Sequence, residues 1–245
     1  MTGGEVGPLA ALRAATRARV ALGRVGDALP TAELLTLRAA HAAARDAVHS
    51  PLDAAALAAE VAMLGLPVVQ VASAAPDRAS YLQRPDLGRR LAADTELSAG
   101  DYDLVVVLAD GLSPLAVQSH AVPMVRAVLD RLDADTGPRL APVVIAAQAR
   151  VALGDEIAGA LGARSVLVLI GERPGMSSTD SLGAYFTYDA RRGRRDSERN
   201  CLSNIRPPHG TGYEAAATTL VMLMAEANRL RLSGIGLKAD PALPG

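Results

Sequence analysis

Tryptophan is missing from this chain and phenylalanine occurs once, so aromatics make up only 2% of its 245 residues. A core here cannot rest on large ring contacts. It must be packed from Leu, Val and Ala, a mixture that suits helices lying close against a sheet. Internal disulfides are excluded as well, because a bridge needs two cysteines and the chain has only Cys201. That usage fits a reducing compartment. No run of about 18 uncharged apolar residues occurs, so no membrane-spanning helix is expected. Residues 1–15 carry Glu5 and Pro8 and no apolar stretch ending in a cleavage pattern. No secretory signal is read there, and a cytoplasmic protein is expected. A dominant charge is also lacking. The formal net charge of −1 gives no overall attraction to nucleic acid or to an anionic membrane surface.

What the chain has in abundance is apolar: half of its residues are hydrophobic. Its length allows one large domain, or one domain with a smaller appendage. Residues 165–170 (SVLVLI), bounded by the Gly171-Glu-Arg-Pro-Gly175 turn, have the β-branched richness of a strand buried on both faces. Similar runs at residues 67–73, 103–109 and 140–147 predict three further strands, and residues 184–188 a shorter fifth. Between them, helices are predicted from about Pro114 and over 150–161. A last helix is predicted over 213–232. Strands alternating with helical stretches imply an α/β fold, a Rossmann-like mostly parallel sheet with flanking helices. Ahead of it, residues 1–65 read as an arm and a small helical region, with Thr31 and Asp53 as helix caps. Residues 66–245 then form the α/β domain. No internal repeat is present.

In open α/β sheets ligands bind beyond the carboxyl ends of the strands. Residues 171–183 are therefore the first place to look for chemistry. There Glu172 and Arg173 would either pair with each other or serve a ligand, and the hydroxyl run 177–181 would either cap a helix or cradle an anion. Cys201 with His209 could form a thiol and base pair, although an inert or ligand-contacting thiol is the commoner use. Ser113 and His120 suggest a hydrolase, but the segment Gly111-Leu-Ser-Pro-Leu115 lacks the second glycine of a nucleophile elbow. The Gly234-Ile-Gly fragment follows a helix and cannot open a dinucleotide-binding unit. The arginines of residues 191–199 are interleaved with Asp189, Asp196 and Glu198, so a solvated or protein-docking loop is expected in preference to a nucleic-acid site. No His or Cys cluster has metal-ligand spacing.

Several segments resemble one family in order and without large gaps from about residue 20 to 238. They are 41–53 (HAAARDAVHSPLD), 84–91 (RPDLGRRL), 109–113 (ADGLS), 148–156 (QARVALGDE), 170–175 (IGERPG), 180–183 (DSLG) and 198–207 (ERNCLSNIRP). The chain resembles the small (light) subunit of ethanolamine ammonia-lyase. The resemblance implies an adenosylcobalamin-dependent enzyme that converts ethanolamine to acetaldehyde and ammonia. It also implies a TIM-barrel large subunit as partner, with cobalamin enclosed at the shared interface. Carried over by motif, the cofactor contacts fall on Val151, Glu172 and Cys201, with Val151 opening the crossover helix and Cys201 in a loop. The pattern Asp-x-His-x-x-Gly, by which some proteins replace the lower cobalt ligand with a histidine, is absent. A base-on cofactor is expected, with no cobalt ligand and no general acid or base from this chain. The resemblance leaves packaging in a bacterial protein-shelled microcompartment open.

Overall fold

In a computed structural model, the structure describes residues 8–16, 18–132 and 137–237. Glu5 and Arg17, which belong to the expected N-terminal arm, lie outside the described residues.

Three helices come first, α1 (Pro8–Ala15), α2 (Thr31–His49) and α3 (Ala54–Ala62). Thr31 is the first helical residue of α2 and does not cap it. The preceding Pro30 holds the extended backbone at the helix start, and no side chain caps the end. Asp53 does cap α3, accepting from the Ala56 N–H at 2.9 Å.

The strands are β1 (Val68–Ala72), β2 (Tyr102–Ala109), β3 (Val143–Ala147), β4 (Ala163–Gly171), β5 (Leu182–Tyr188) and β6 (Asn200–Ile205). They form one six-stranded sheet in the order β1-β3-β2-β4-β5-β6. The first four are parallel, whereas β5 runs antiparallel to both β4 and β6. The sixth strand was not expected. Its sequence, Asn200-Cys-Leu-Ser-Asn-Ile205, is mostly polar because it pairs on one side only and exposes residues of one face. Cys201 is therefore on an edge strand, not in a loop.

Helix α4 (Arg78–Gln83), capped by Asp77, and a 3₁₀ turn at Leu87–Arg89 separate β1 from β2. Helix α5 (Pro114–Leu129) leads from β2 to β3, α6 (Leu153–Leu161) from β3 to β4, and α7 (Tyr213–Leu230) follows β6. The sheet divides the core into two apolar layers. Leu167, Leu169 and Phe186 meet Val117, Ala121 and Leu220 of α5 and α7 on one side. On the other, Val105, Val107, Val166 and Val168 meet Leu153 and Ile157 of α6. Few aromatics are needed because the layers lie close. A Cβ at Gly154 would stand 2.5 Å from Val168 Cγ2, so only glycine lets α6 approach β4 so nearly.

Helix α6 starts later than residue 150. Residues 148–152 instead form a turn in which Gln148 takes a left-handed backbone, φ 54°. Val151 thus lies in the β3–α6 turn ahead of the helix.

The candidate site at the carboxyl edge of the sheet

Connections from adjacent strands diverge at the carboxyl ends of β2 and β4: β2 leads through α5 to β3 on one side, β4 to β5 on the other. This is the crevice in which open α/β sheets place ligands. The two chain turns touch there. Leu112 N donates to Gly171 O at 2.9 Å, and a Cβ at Gly111 (φ 55°) would lie 2.2 Å from that same carbonyl oxygen.

Glu172, the first residue after β4, does not pair with Arg173. Its Oε2 accepts from the Ser181 hydroxyl at 2.5 Å and from the Asn204 N–H at 3.1 Å, while Oε1 accepts from the Ser203 hydroxyl. A carboxylate offers about four acceptor positions, so one stays open after three donors. The carboxylate is half-buried and acts as a clasp between the β4–β5 loop and the edge strand. It also borders Tyr185. A Cβ at Gly183 would lie 3.2 Å from both Glu172 Oε1 and Tyr185 Cε2. The pairing of β5 with β6 shifts register between Leu182 and Ala184, at this point.

Tyr185 is in register with Cys201 on the neighbouring strand, close enough for each to shift the other's ionisation. Burial raises the Tyr185 phenol, with the Cys201 thiol and the Glu172 carboxylate adding to the effect. Burial also raises the Cys201 thiol, against a lowering by the neighbouring Tyr185 phenol. A raised thiol is a poor nucleophile, since the thiolate is the reactive form. His209 is exposed and its ring makes no bond to Cys201. Val151 and Tyr185 both pack at the border of the apolar layer beneath α6. Val151 and Tyr185 therefore lie on the α6 side of the sheet, with Cys201 in register with Tyr185 and Glu172 bordering it.

Residues 177–181 are held largely through their backbone. Ser178 closes a tight turn with Gly175, Thr179 offers its carbonyl to the Ser113 hydroxyl at 2.7 Å, and Ser181 serves Glu172. Ser113 caps α5 through the Ala116 N–H, so its hydroxyl is committed twice. His120 does not meet Ser113. Its Nδ1 is 2.7 Å from the Tyr213 hydroxyl, its Nε2 is 3.6 Å from Asp180, and Arg206 approaches the same carboxylate at 3.7 Å. Burial lowers the His120 pKa, opposed by Asp180. This cluster fastens the β4–β5 loop to α5, α7 and the end of β6. The N-terminal segment reaches that loop as well, through Arg19 Nη2 to Met176 O at 3.1 Å.

Among the described residues no group of three or more His, Cys, Asp or Glu side chains is arranged to hold a metal ion. A cleft of about 650 Å³ opens elsewhere, lined by Leu104, Ser165, Phe186, Met224 and Arg231, at the amino ends of β2 and β4. No described helix is long and apolar enough to cross a membrane.

The profile of the family described as "Ethanolamine ammonia-lyase light chain (EutC)" matches residues 7–238. The chain belongs to the ethanolamine ammonia-lyase light-chain family. Relatives in that family include the "Ethanolamine ammonia-lyase small subunit" of Ralstonia nicotianae, 51% identical over 97% of this chain and 90% of the relative. Proteins of the same name from Azotobacter vinelandii and Xanthomonas campestris pv. campestris are each 52% identical, over 95% and 96% of this chain and 88% and 89% of theirs. Within this light chain, residue types alone pointed to Glu172 and the β4 edge. Tyr185, Ser203 and Asn204 were not singled out. Their part depends on β6, whose polar alternation carries little signal beside the charged run before it.

Proposed function

We propose that this chain is the small subunit of an adenosylcobalamin-dependent ethanolamine ammonia-lyase, a carbon-nitrogen lyase yielding acetaldehyde and ammonia, and that it helps to enclose the cobalamin against a catalytic TIM-barrel large subunit. The family match along almost the whole chain carries this reading. The carboxyl edge of the sheet supports it. A corrin is a broad apolar disc rimmed with amide arms, and its site needs aliphatic contact with a few acceptors. Val151 supplies an aliphatic surface in the turn that leads into α6, at the border of the apolar layer. Glu172 retains an acceptor position for an amide N–H, and Cys201 presents an exposed, protonated thiol on the adjoining strand.

When bound, adenosylcobalamin supplies homolysis of its Co–C bond and hence the radical that takes hydrogen from the substrate. This chain's residues hold the corrin rim and keep water from the reacting partners, which matters because such radicals are quenched by solvent. Glu172 is fixed by Ser181, Ser203 and Asn204 before any ligand arrives, so little ordering cost falls on binding. No proton transfer is assigned to any residue here; substrate chemistry belongs to the large subunit.

The deciding experiment is acetaldehyde formation from ethanolamine with this chain, a large subunit of the family and adenosylcobalamin, each omitted in turn. Turnover that requires all three is expected. Full turnover without this chain would remove the proposal. Glu172→Ala in the assembled enzyme is expected to raise the apparent Kd for adenosylcobalamin by roughly tenfold or more, in line with loss of one charge-assisted hydrogen bond.

A further inference from the structure

The turn between β3 and α6 holds a cation with no ion pair among the described residues. Asp110, buried at the end of β2, receives the Gln148 N–H on Oδ2 and the Ala149 N–H on Oδ1, both at 2.9 Å. That bidentate grip holds Gln148 in its left-handed conformation and points the chain onward to Arg150, whose own N–H donates to Gly88 O at 2.8 Å. The Arg150 guanidinium lies 4.4 Å from the ring centre of Tyr81, and Arg78 stacks on the same ring at 4.9 Å. Tyr81 is fully buried and anchored through its hydroxyl to Ala149 O at 3.0 Å. Gly88 makes the fit close, since a Cβ there would stand 2.9 Å from the Tyr81 ring and 3.0 Å from Arg150 Cγ.

The two arginines differ in their partners. Arg78 is spent on the fold, with Nε on Val48 O at 2.7 Å and Nη1 shared among Gly111 O, Asp110 and Gln148. Arg150 has no side-chain hydrogen bond and no ion pair among the described residues, and its buried Nε and the buried Nη2 of Arg78 lack acceptors. The nearby buried carboxylate, Asp110, is occupied by the Gln148 and Ala149 N–H groups and by Arg78, and no ion pair joins it to Arg150. A half-buried, pre-stacked guanidinium without a counter-charge is costly unless an anion completes it, and its planar fork matches the oxygens of a phosphate.

Arg150 immediately precedes Val151. On the reading given under Proposed function, the ligand at this edge carries neutral amide arms and a single anion, the phosphodiester of its nucleotide tail. We infer that Arg150, stacked on Tyr81 and backed by Arg78, is a further cofactor-binding residue whose partner is that phosphodiester.

The test compares two corrinoids on the complex assembled with the large subunit: adenosylcobalamin, and adenosylcobinamide, which has the same corrin and adenosyl group but no phosphodiester-linked nucleotide. Binding is read by spectral titration for the unsubstituted protein, Arg150→Met and Arg150→Lys. Arg150→Met keeps an apolar stem on Tyr81 and should weaken adenosylcobalamin by roughly ten- to a hundredfold while leaving adenosylcobinamide unchanged. Arg150→Lys should restore part of the loss. Affinity for adenosylcobalamin should also fall with added salt, less steeply in Arg150→Met. Equal weakening of both corrinoids, or none of either, overturns the assignment. So does a loss confined to subunit association, which would mean a carboxylate of the large subunit takes the seat. If the unsubstituted complex binds neither corrinoid, the functional reading itself falls; if it binds both and Arg150→Met is neutral, only the role of Arg150 falls.

Discussion

Asp155 and Arg199 form a bidentate ion pair in which both side chains are 2% exposed, with Arg199 Nη1 on Oδ1 at 2.7 Å and Nη2 on Oδ2 at 2.6 Å. Thr187 and the Arg194 carbonyl take further Arg199 donors. The pair ties α6, four residues beyond Val151, to the start of β6, two residues ahead of Cys201. Removing one partner strands a buried charge. Arg199→Met should cost about 3–5 kcal/mol, whereas Arg199→Met combined with Asp155→Leu should recover most of it. Thermal unfolding of the assembled enzyme, run on both variants, checks this; a double variant no more stable than the single one contradicts it.

Glu172→Gln preserves the shape of the clasp but turns one acceptor into a donor. Three donors converge on the native carboxylate, so the amide loses the charge that strengthens all three bonds and obliges one serine hydroxyl to turn and accept. A loss of about 1–3 kcal/mol is expected between stability of the loop and affinity for cobalamin. Cobalamin titration beside proteolysis within residues 172–181 separates the two. Unchanged values in both measurements would show that the carboxylate's charge has no part in the site.

Cys201→Ser should keep turnover within about tenfold of the unsubstituted enzyme. The substitution replaces a thiol by a hydroxyl opposite Tyr185 on the neighbouring strand, a change worth on the order of 1 kcal/mol. Complete loss of turnover in a folded complex would give the thiol a chemical role that its raised pKa argues against.

His120 makes stability fall in mild acid. Burial sets its folded pKa below the ordinary value near 6.5, so the neutral ring is the folded form at pH 7. Between the two pKa values the unfolded chain binds the proton more readily, and stability is lost as pH falls below about 6.5 towards the folded pKa. Asp180 opposes the shift, while Arg206 adds to it. His120→Gln should therefore show a smaller drop in Tm from pH 7.5 to 5.5 than the unsubstituted chain, assembled in the same way. An identical drop in both would remove His120 as the source.

The parallel half of the fold was legible because β2 and β4 are buried on both faces and so read as continuous apolar runs. The clearest failure was β6. An edge strand needs only alternate burial, and Asn200-Cys-Leu-Ser-Asn-Ile205 meets that need with Leu202 and Ile205 among polar neighbours. The turn at Gln148 was hidden for another reason: its left-handed backbone is held by Asp110, 38 residues away, and no local pattern announces a tertiary contact. Glu172 was legible from its place after a buried strand. Its partners Ser203 and Asn204 were not, since pairing a residue with others about 30 positions on requires the strand that sequence reading had missed.

The antiparallel run of β4, β5 and β6 also shapes how the molecule forms. Residues 163–205 are contiguous, so Glu172, Ser181, Tyr185, Cys201 and Ser203 come together within one antiparallel run. Val151 and Arg150 belong to the other half, whose parallel strands need long crossovers. The clasp around Glu172 is thus built from one contiguous stretch, whereas both sides of the crevice share one edge only where β4 is docked against β2.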